Sequence, residues 1–543
     1  MAQNRMRSMV NLANRKMSVK WAAILLASST LLSSLLGLYR DRLLNGLYLD
    51  SYRVGIDAYT VAFTIPDFMF FILVSGALGV SFIPVFNQRL DTGNKKSAWE
   101  LSSSMINFMA LITLVASILI MIFASQLVYI ISPGLDESGH ALAVSMMRVI
   151  AVNPFLFAIA TVIASMQQAV GRYMFYALAP TIYNIGIIIG ALFFTNGITI
   201  FGYQVFEGGI MGVALGVVLG AIMQLVVSAI GLLGVGFDYH FKISWKNKGF
   251  RQVLRLLPAR SLDQGIDYVN GFVETNLASH MADGTIRAYQ QASALSLMPV
   301  NLIGVAISNA AFPKMAERLN QGRNDLFMSE LRSILRVIIW LALPTAAITF
   351  FARGYVVNFI KNGGFPLISG LLGVLVVAIL FRTIYHIAAR AFYAQQDTKT
   401  PLYVSIFSIG LNIILAVVFT QVFGWGVYGL AYAQSLMALI EVVILFCIIG
   451  RRMPGFFTRA FVGAVGKMSI ATGSMSLITY LTVTLLPLRN NDQNFISTFP
   501  KFMIIAFVSF SIYIWVSKWF HLVEADPVVR RLQQIFFGSV RRK

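Results

Sequence analysis

Cysteine is almost absent. Cys447 is the single one in 543 residues, which excludes an intrachain disulfide. It lies in an apolar run and reads as a small filler facing core or lipid. Charge is scarce too. Asp, Glu, Lys and Arg make up 12% of the chain and hydrophobic residues 57%, whereas soluble domains carry about 25% charged residues. No soluble interior of this size hides so much apolar side chain, so the composition implies an integral membrane protein. It excludes a disordered chain, a small disulfide scaffold and an ordinary cytosolic enzyme.

Catalytic constellations are also missing. The five His are scattered, with no zinc-type ligand spacing and no Ser-His-Asp or Cys-His pattern. No G-x-x-x-x-G-K-[ST] occurs, so the chain is not by itself an ATP-driven pump. We expect no enzyme, no metal and no cofactor.

What the sequence has is about 14 apolar runs of roughly 20 residues. They are too long and too evenly apolar for barrel strands, so the expected fold is an all-α membrane bundle. The run from Trp21 to Tyr39 ends in Arg40 and Asp41 rather than a cleavage site and reads as a retained first span. The net charge of +20 is explained by Lys and Arg gathered in alternate loops, not by nucleic acid. Arg89, Lys95, Lys96, Arg172, Lys242, Lys246, Lys248, Arg251, Lys314, Arg318, Arg451 and Arg452 fall on one side. The loops 128–140, 196–208 and 423–425 have neither Lys nor Arg. The positive-inside rule then places both termini in the cytoplasm.

The chain repeats itself. Pro84, Arg89, Leu90 and Gly93 recur in frame as Pro313, Arg318, Leu319 and Gly322. Gln167-Gln168 and Asn184 recur as Gln395-Gln396 and Asn412. Gly209-x-x-Gly212 recurs as Gly426-x-x-Gly429. Both copies point the same way, a parallel repeat typical of transporters. The expected organisation is a basic N-terminus (1–20), a six-span lobe (21–236), a basic linker (237–251), a second six-span lobe (252–450), two appended spans (451–519) and a basic tail (520–543).

Charges inside spans are costly and mark cavities or partners. Arg40, Asp41 and Arg42 close the first run, either as an interfacial cluster or as a cavity cation held by its neighbouring acid. Arg260, Asp263, Asp267 and Glu274 share one helix face by spacing. They read as a coupling-ion or charge-balance stripe, with Arg260 a second candidate anion contact. Arg382 and His386 share a face of another span and could meet a phosphate or an acid. Asp67 follows Pro66, where the ladder is broken. Pro66, Gly76 and Gly79 are candidate hinges. Asn184 and Asn412 read as polar glue between helices, with Asn412 a further charge-balance candidate.

These residues have a family likeness. Gly37-Leu38-Tyr39-Arg40-Asp41, Asp57-Ala58, Ile65-Pro66 and Phe82-Ile83-Pro84-Val85-Phe86 resemble the amino-terminal signature of the MurJ/MviN family. The run from Arg390 to Pro401 resembles that family's connection between spans 10 and 11. The family belongs to the multidrug/oligosaccharidyl-lipid/polysaccharide exporters, and its members flip lipid II, the undecaprenyl-pyrophosphate-linked peptidoglycan precursor. The resemblance implies two six-helix lobes, two extra helices forming a lipid groove, and a cavity between spans 1, 2, 7 and 8. It implies substrate contacts at Arg40, Asp41, Arg42, Asp57 and Asp67, coupling to Na+, H+ or membrane potential, and a monomer in the bacterial inner membrane, with or without cell-wall synthesis proteins. Other family cavity charges are replaced: by Ser34, Phe70, Ser75 and, near span 8, Ala294. An ion-coupled exporter of another lipid-linked oligosaccharide or of amphipathic drugs is the alternative.

Overall fold

The computed structural model describes residues 17–75, 81–200, 203–233, 235–489, 492, 494–527 and 529–530. Among these, the side chains of 19, 20, 75, 200, 203 and 258–267 are not described. Gly76 and Gly79, and the side chains of Arg260, Asp263 and Asp267, thus lie outside the description.

Among the described residues, thirteen helices are long and apolar enough to cross a membrane. The fourteenth expected span is present as a helix, Lys248–Ser279. It falls short as an apolar crossing because Arg251, Arg255, Arg260, Asp263, Asp267 and Glu274 interrupt it. The chain divides into two compact units, at Arg287/Ala288.

The first unit begins with α1 (Val19–Tyr48), α2 (Arg53–Phe70) and α3 (Ile83–Asp91). It continues through α4 (Lys95–Ile131), α5 (Glu137–Ile150), α6 (Asn153–Ala169) and α7 (Met174–Phe193). A two-stranded hairpin, β1 (Ile198–Ile200) and β2 (Tyr203–Phe206), precedes α8 (Met211–Ile230) and α9 (Lys248–Ser279). Leu101, Met105 and Met109 on α4 bury against Phe86 and Val162, with Phe250 of α9 in the same core. So α9, which the repeat pairs with the second lobe, packs within the first unit. Its start is set by Asn247, whose side chain accepts from the N–H groups of Gly249 and Phe250. Helices α7 and α8 approach through glycines: a Cβ on Gly186 would lie 2.2 Å from the Cα of Gly220, and one on Gly190 2.4 Å from that of Gly216. This is the small-residue contact that lets membrane helices pack by dispersion alone.

In the second unit follow α10 (Thr285–Pro299, whose first turn belongs to the first unit), α11 (Ala306–Asn320), α12 (Asn324–Phe351) and α13 (Arg353–Asn358). Then come α14 (Pro366–Ala394), α15 (Lys399–Val417), α16 (Val427–Arg452), α17 (Arg459–Leu485) and α18 (Phe495–Trp519). The two appended helices, α17 and α18, join the core of this unit. Met468, Met475 and Tyr513 bury with Leu335 and Ile338 of α12, and Trp340 Nε1 donates to Ser517 Oγ at 3.1 Å. Cys447 is exposed.

The repeat extends to backbone detail. Each copy carries a π-turn, Phe71–Ser75 and Val300–Val305, at the same spacing before Pro84 and Pro313. Each then ends a helix in a Schellman turn. Gly93 (φ 76°) donates to Leu90 and Asn94 to Arg89; Gly322 (φ 71°) donates to Leu319 and Arg323 to Arg318. Gly212 and Gly429 each press their Cα against the end of the preceding helix, at Phe194 and Phe419.

Candidate functional site

Arg40 stands eight residues before the end of α1, roughly 12 Å along the axis. Its guanidinium turns into protein. Nη1 donates to Asn184 Oδ1 on α7 at 3.0 Å, while Nε and Nη2 donate to Asp41 Oδ1 at 3.2 and 3.0 Å. These bonds use three of its five N–H groups. Asn184 is fixed in turn, donating to Ser33 and to the Pro180 carbonyl. The glue role expected of Asn184 is therefore joined to a second one, as the acceptor that aims Arg40.

A second cation completes the cluster. Arg287, in the first turn of α10, donates from Nη2 to the same Asp41 oxygen at 3.2 Å and from Nε to Asn45 at 2.9 Å. Arg287 is 5% exposed and Arg40 25%. The deeper arginine is held in the protein, and the shallower one keeps an open edge. Tyr59, Tyr183 and Asp67 lie within electrostatic range of Arg40, so aromatic hydroxyls and one further carboxylate surround it.

Asp57 has a role other than the expected substrate contact. Its two oxygens accept the N–H groups of Gly284 at 2.7 Å and Arg287 at 2.8 Å. Asp57 is 3% exposed. It ties the entry of α10 to α2 and places Arg287, in the manner of an N-terminal cap.

The remaining expected residues spread out. Arg42 is half-buried and already engaged. Pro66 is buried within α2, just ahead of the π-turn, where an irregular ladder permits bending. Glu274 is buried and accepts from Asn270 within α9 at 3.0 Å. Arg382 and His386 are half-buried on α14, with the His386 ring beside Gly304. Asn412 is fully buried on α15. Phe70, at a position where the family carries a cavity arginine, packs its ring edge-on to Phe71 and Phe157 at 5.6 and 5.4 Å. It belongs to the aromatic packing of its unit, and a cation introduced there would disrupt that packing.

Sequence reasoning missed Arg287 and Asn45. Arg287 lies just ahead of the apolar run that begins at Ala288. Its signal was present: an arginine in a connection that the charge asymmetry places on the Lys- and Arg-poor side.

The fold matches solved membrane proteins. It matches a solved lipid II flippase MurJ in an inward closed conformation with a TM-score of 0.73 and 23% identity, covering 92% of this chain and 99% of that one. It also matches an inward-facing multidrug resistance MATE transporter of the MOP superfamily, with a TM-score of 0.66 and 16% identity, covering 80% and 98%. Long apolar helices in two parallel repeats, with buried cations in the first, define the class: a multi-pass, all-α membrane transporter.

The family follows from sequence. The model of the family "Lipid II flippase MurJ" matches residues 53–514, and the chain belongs to that family. Relatives include the probable lipid II flippase MurJ of Thermotoga maritima, 24% identical over 92% of this chain and 97% of its own length. Another is the lipid II flippase MurJ of Burkholderia cenocepacia, 24% identical over 84% of this chain and 89% of its own length.

Proposed function

We propose that this protein flips lipid II across the bacterial cytoplasmic membrane by alternating access. The observation that carries the reading is Arg40, buried in α1 yet part-open, with Asn184 and Asp41 fixing its plane. A pyrophosphate demands such a group: charge-assisted N–H bonds to phosphate oxygens are the strong ones, and a guanidinium offers two in parallel. Asp41 and Arg287 orient Arg40, and the pyrophosphate meets its open edge. Helices α17 and α18, outside the repeat, offer the polyprenyl tail a lipid-facing surface. The protein acts as a monomer, with cytoplasmic termini, and performs no covalent chemistry. Transport is driven by Na+, H+ or membrane potential, with Asp67 and Glu274 balancing charge as the cavity opens and closes.

The test is complementation of a strain depleted of its own lipid II flippase. Wild type rescues growth, and Arg40→Ala at equal membrane abundance does not. Failure of well-inserted wild type to rescue overturns the reading in favour of another lipid-linked cargo or drug export. Rescue by both proteins keeps the cargo and removes Arg40 from its recognition.

A further inference from the structure

A buried carboxylate in the second unit has no part in the site above. Glu441 lies near the middle of the α16 span, about 21 Å from Val427 and about 17 Å from Arg452 along the helix. It is 9% exposed. Ser405 Oγ of α15 donates to its Oε1 at 3.0 Å, and the Tyr385 hydroxyl of α14 lies 3.1 Å from Ser405 Oγ. Serine has one hydroxyl hydrogen, committed to Glu441, so Tyr385 is the donor in the second bond. Three spans thus contribute one oriented chain, Tyr385 to Ser405 to Glu441, running from a half-buried phenol to a buried carboxylate.

The repeat supplies an internal control. Carried through the offsets of the Gln-Gln, Asn and Gly-x-x-Gly motifs, Tyr385, Ser405 and Glu441 fall on Phe157, Ala177 and Gln224 of the first copy. There Phe157 packs edge-on to Phe70 and Tyr183. The helical framework is built once without any ionisable group at these positions. The triad is therefore not a requirement of the packing. An ionisable group at mid-membrane is costly and is characteristic of ion and proton pathways.

We infer that Glu441 is a proton-carrying site of this transporter, loaded and unloaded through Ser405 and Tyr385. In the step, one water-derived proton adds to the carboxylate to give the neutral acid, and later returns to water. Each hydroxyl passes on its own proton and takes the next, so Tyr385 and Ser405 end unchanged and the net change is one O–H bond on Glu441. The remaining titratable groups on the helices packed against α16 are Arg382, His386, Arg390 and Tyr393 on α14 and Lys399 and Tyr403 on α15. The guanidinium of Arg390 stacks over Phe312 and Tyr393, and Tyr403 is exposed. The inference rests on the hydrogen-bonded chain and its place within the span, not on the cargo.

The experiment is infrared difference spectroscopy of the purified full-length chain in lipid nanodiscs, with no lipid substrate added, across a pH titration. Wild type gains protonated-carboxyl C=O absorption as pH falls, and subtracting the Glu441→Gln titration leaves one band that belongs to Glu441. Glu441→Asp retains a displaced band, which separates loss of the group from loss of fold. Tyr385→Phe slows appearance of the band after a pH jump about tenfold, the scale of one lost hydrogen bond. Identical titrations of wild type and Glu441→Gln overturn the inference. So does a band abolished at fixed pH by replacing choline chloride with NaCl, which makes the carboxylate a sodium ligand instead. Because no cargo is present, either failure leaves the proposed transport of lipid II standing.

Discussion

Arg40 and Arg287 meet on a single atom, Oδ1 of Asp41, at 3.0 and 3.2 Å. Two guanidiniums so close repel unless the shared carboxylate stays ionised, so Asp41 holds the cluster together. Neutralising it in Asp41→Asn leaves both cations under-compensated, at a cost of about 1–3 kcal/mol. The expected outcome is a lower thermal midpoint of the solubilised protein and loss of complementation. An unchanged midpoint sinks the account.

The two arginines should also be energetically coupled. Arg287→Ala and Arg40→Ala share the Asp41 partner, so their combined effect departs from additivity by about 0.5–3 kcal/mol. A double-mutant cycle on thermal stability measures it. Strict additivity means the shared carboxylate is not a shared interaction.

Asp57 caps the entry of α10, and two substitutions separate that role from contact with the cargo. Asn offers one acceptor oxygen where Asp offers two, so Asp57→Asn keeps one of the two bonds and costs less than Asp57→Ala, with partial rescue. Asp57→Ala loses about 1–2 kcal/mol through the unmade bonds to Gly284 and Arg287. Equal failure of both variants in complementation points instead to a charge needed by the substrate.

The glycine contact between α7 and α8 admits no side chain. Gly190→Val forces a branched residue against the Gly216 backbone, so the helices must separate and lose their dispersion contacts. The expected outcome is a several-fold drop in membrane abundance by immunoblot. Gly410→Val, at a glycine with open space around it, serves as the tolerated control.

Acidification should release the loop before α15. Asp397 accepts from the hydroxyl and backbone N–H of Thr400 and pairs with Arg452 at 2.7 Å. These bonds hold its carboxyl down to about 2 from an ordinary 3.8, the Thr400 hydroxyl contributing most. A depressed native value gives stability that is complete above pH 3.8 and fades as the pH falls toward 2. Backbone hydrogen exchange at 397–400 should stay slow, relative to the unstructured rate, down to about pH 4 and accelerate below it. Arg452→Ala should raise the pH at which it does so.

Much of this protein is written locally. The apolar runs exist because a bilayer demands about 20 apolar residues per helix, so thirteen crossing helices were legible from composition alone. The charged α9 was legible only by its length and neighbours. The repeat motifs were legible as a repeat; that they form paired Schellman turns and glycine contacts came from the structure, because such backbone conformations need glycine at a fixed register. The Arg40–Asp41 pair was visible too, since its members adjoin.

The rest depended on contacts between distant parts of the chain. Arg40 finds Asn184 across 144 positions, Arg287 finds Asp41 across 246 and Asp57 finds Gly284 across 227. No periodicity encodes such pairings, because a side chain's partner is set by how helices pack, not by spacing along one of them. Glu441 reads in sequence as one polar residue in an apolar run, and only the approach of α14 and α15 makes it the end of a hydrogen-bonded chain. Local hydrophobicity determined where the helices are. Tertiary packing decided which charges face protein, which is where the cost of burying them makes their partners obligatory.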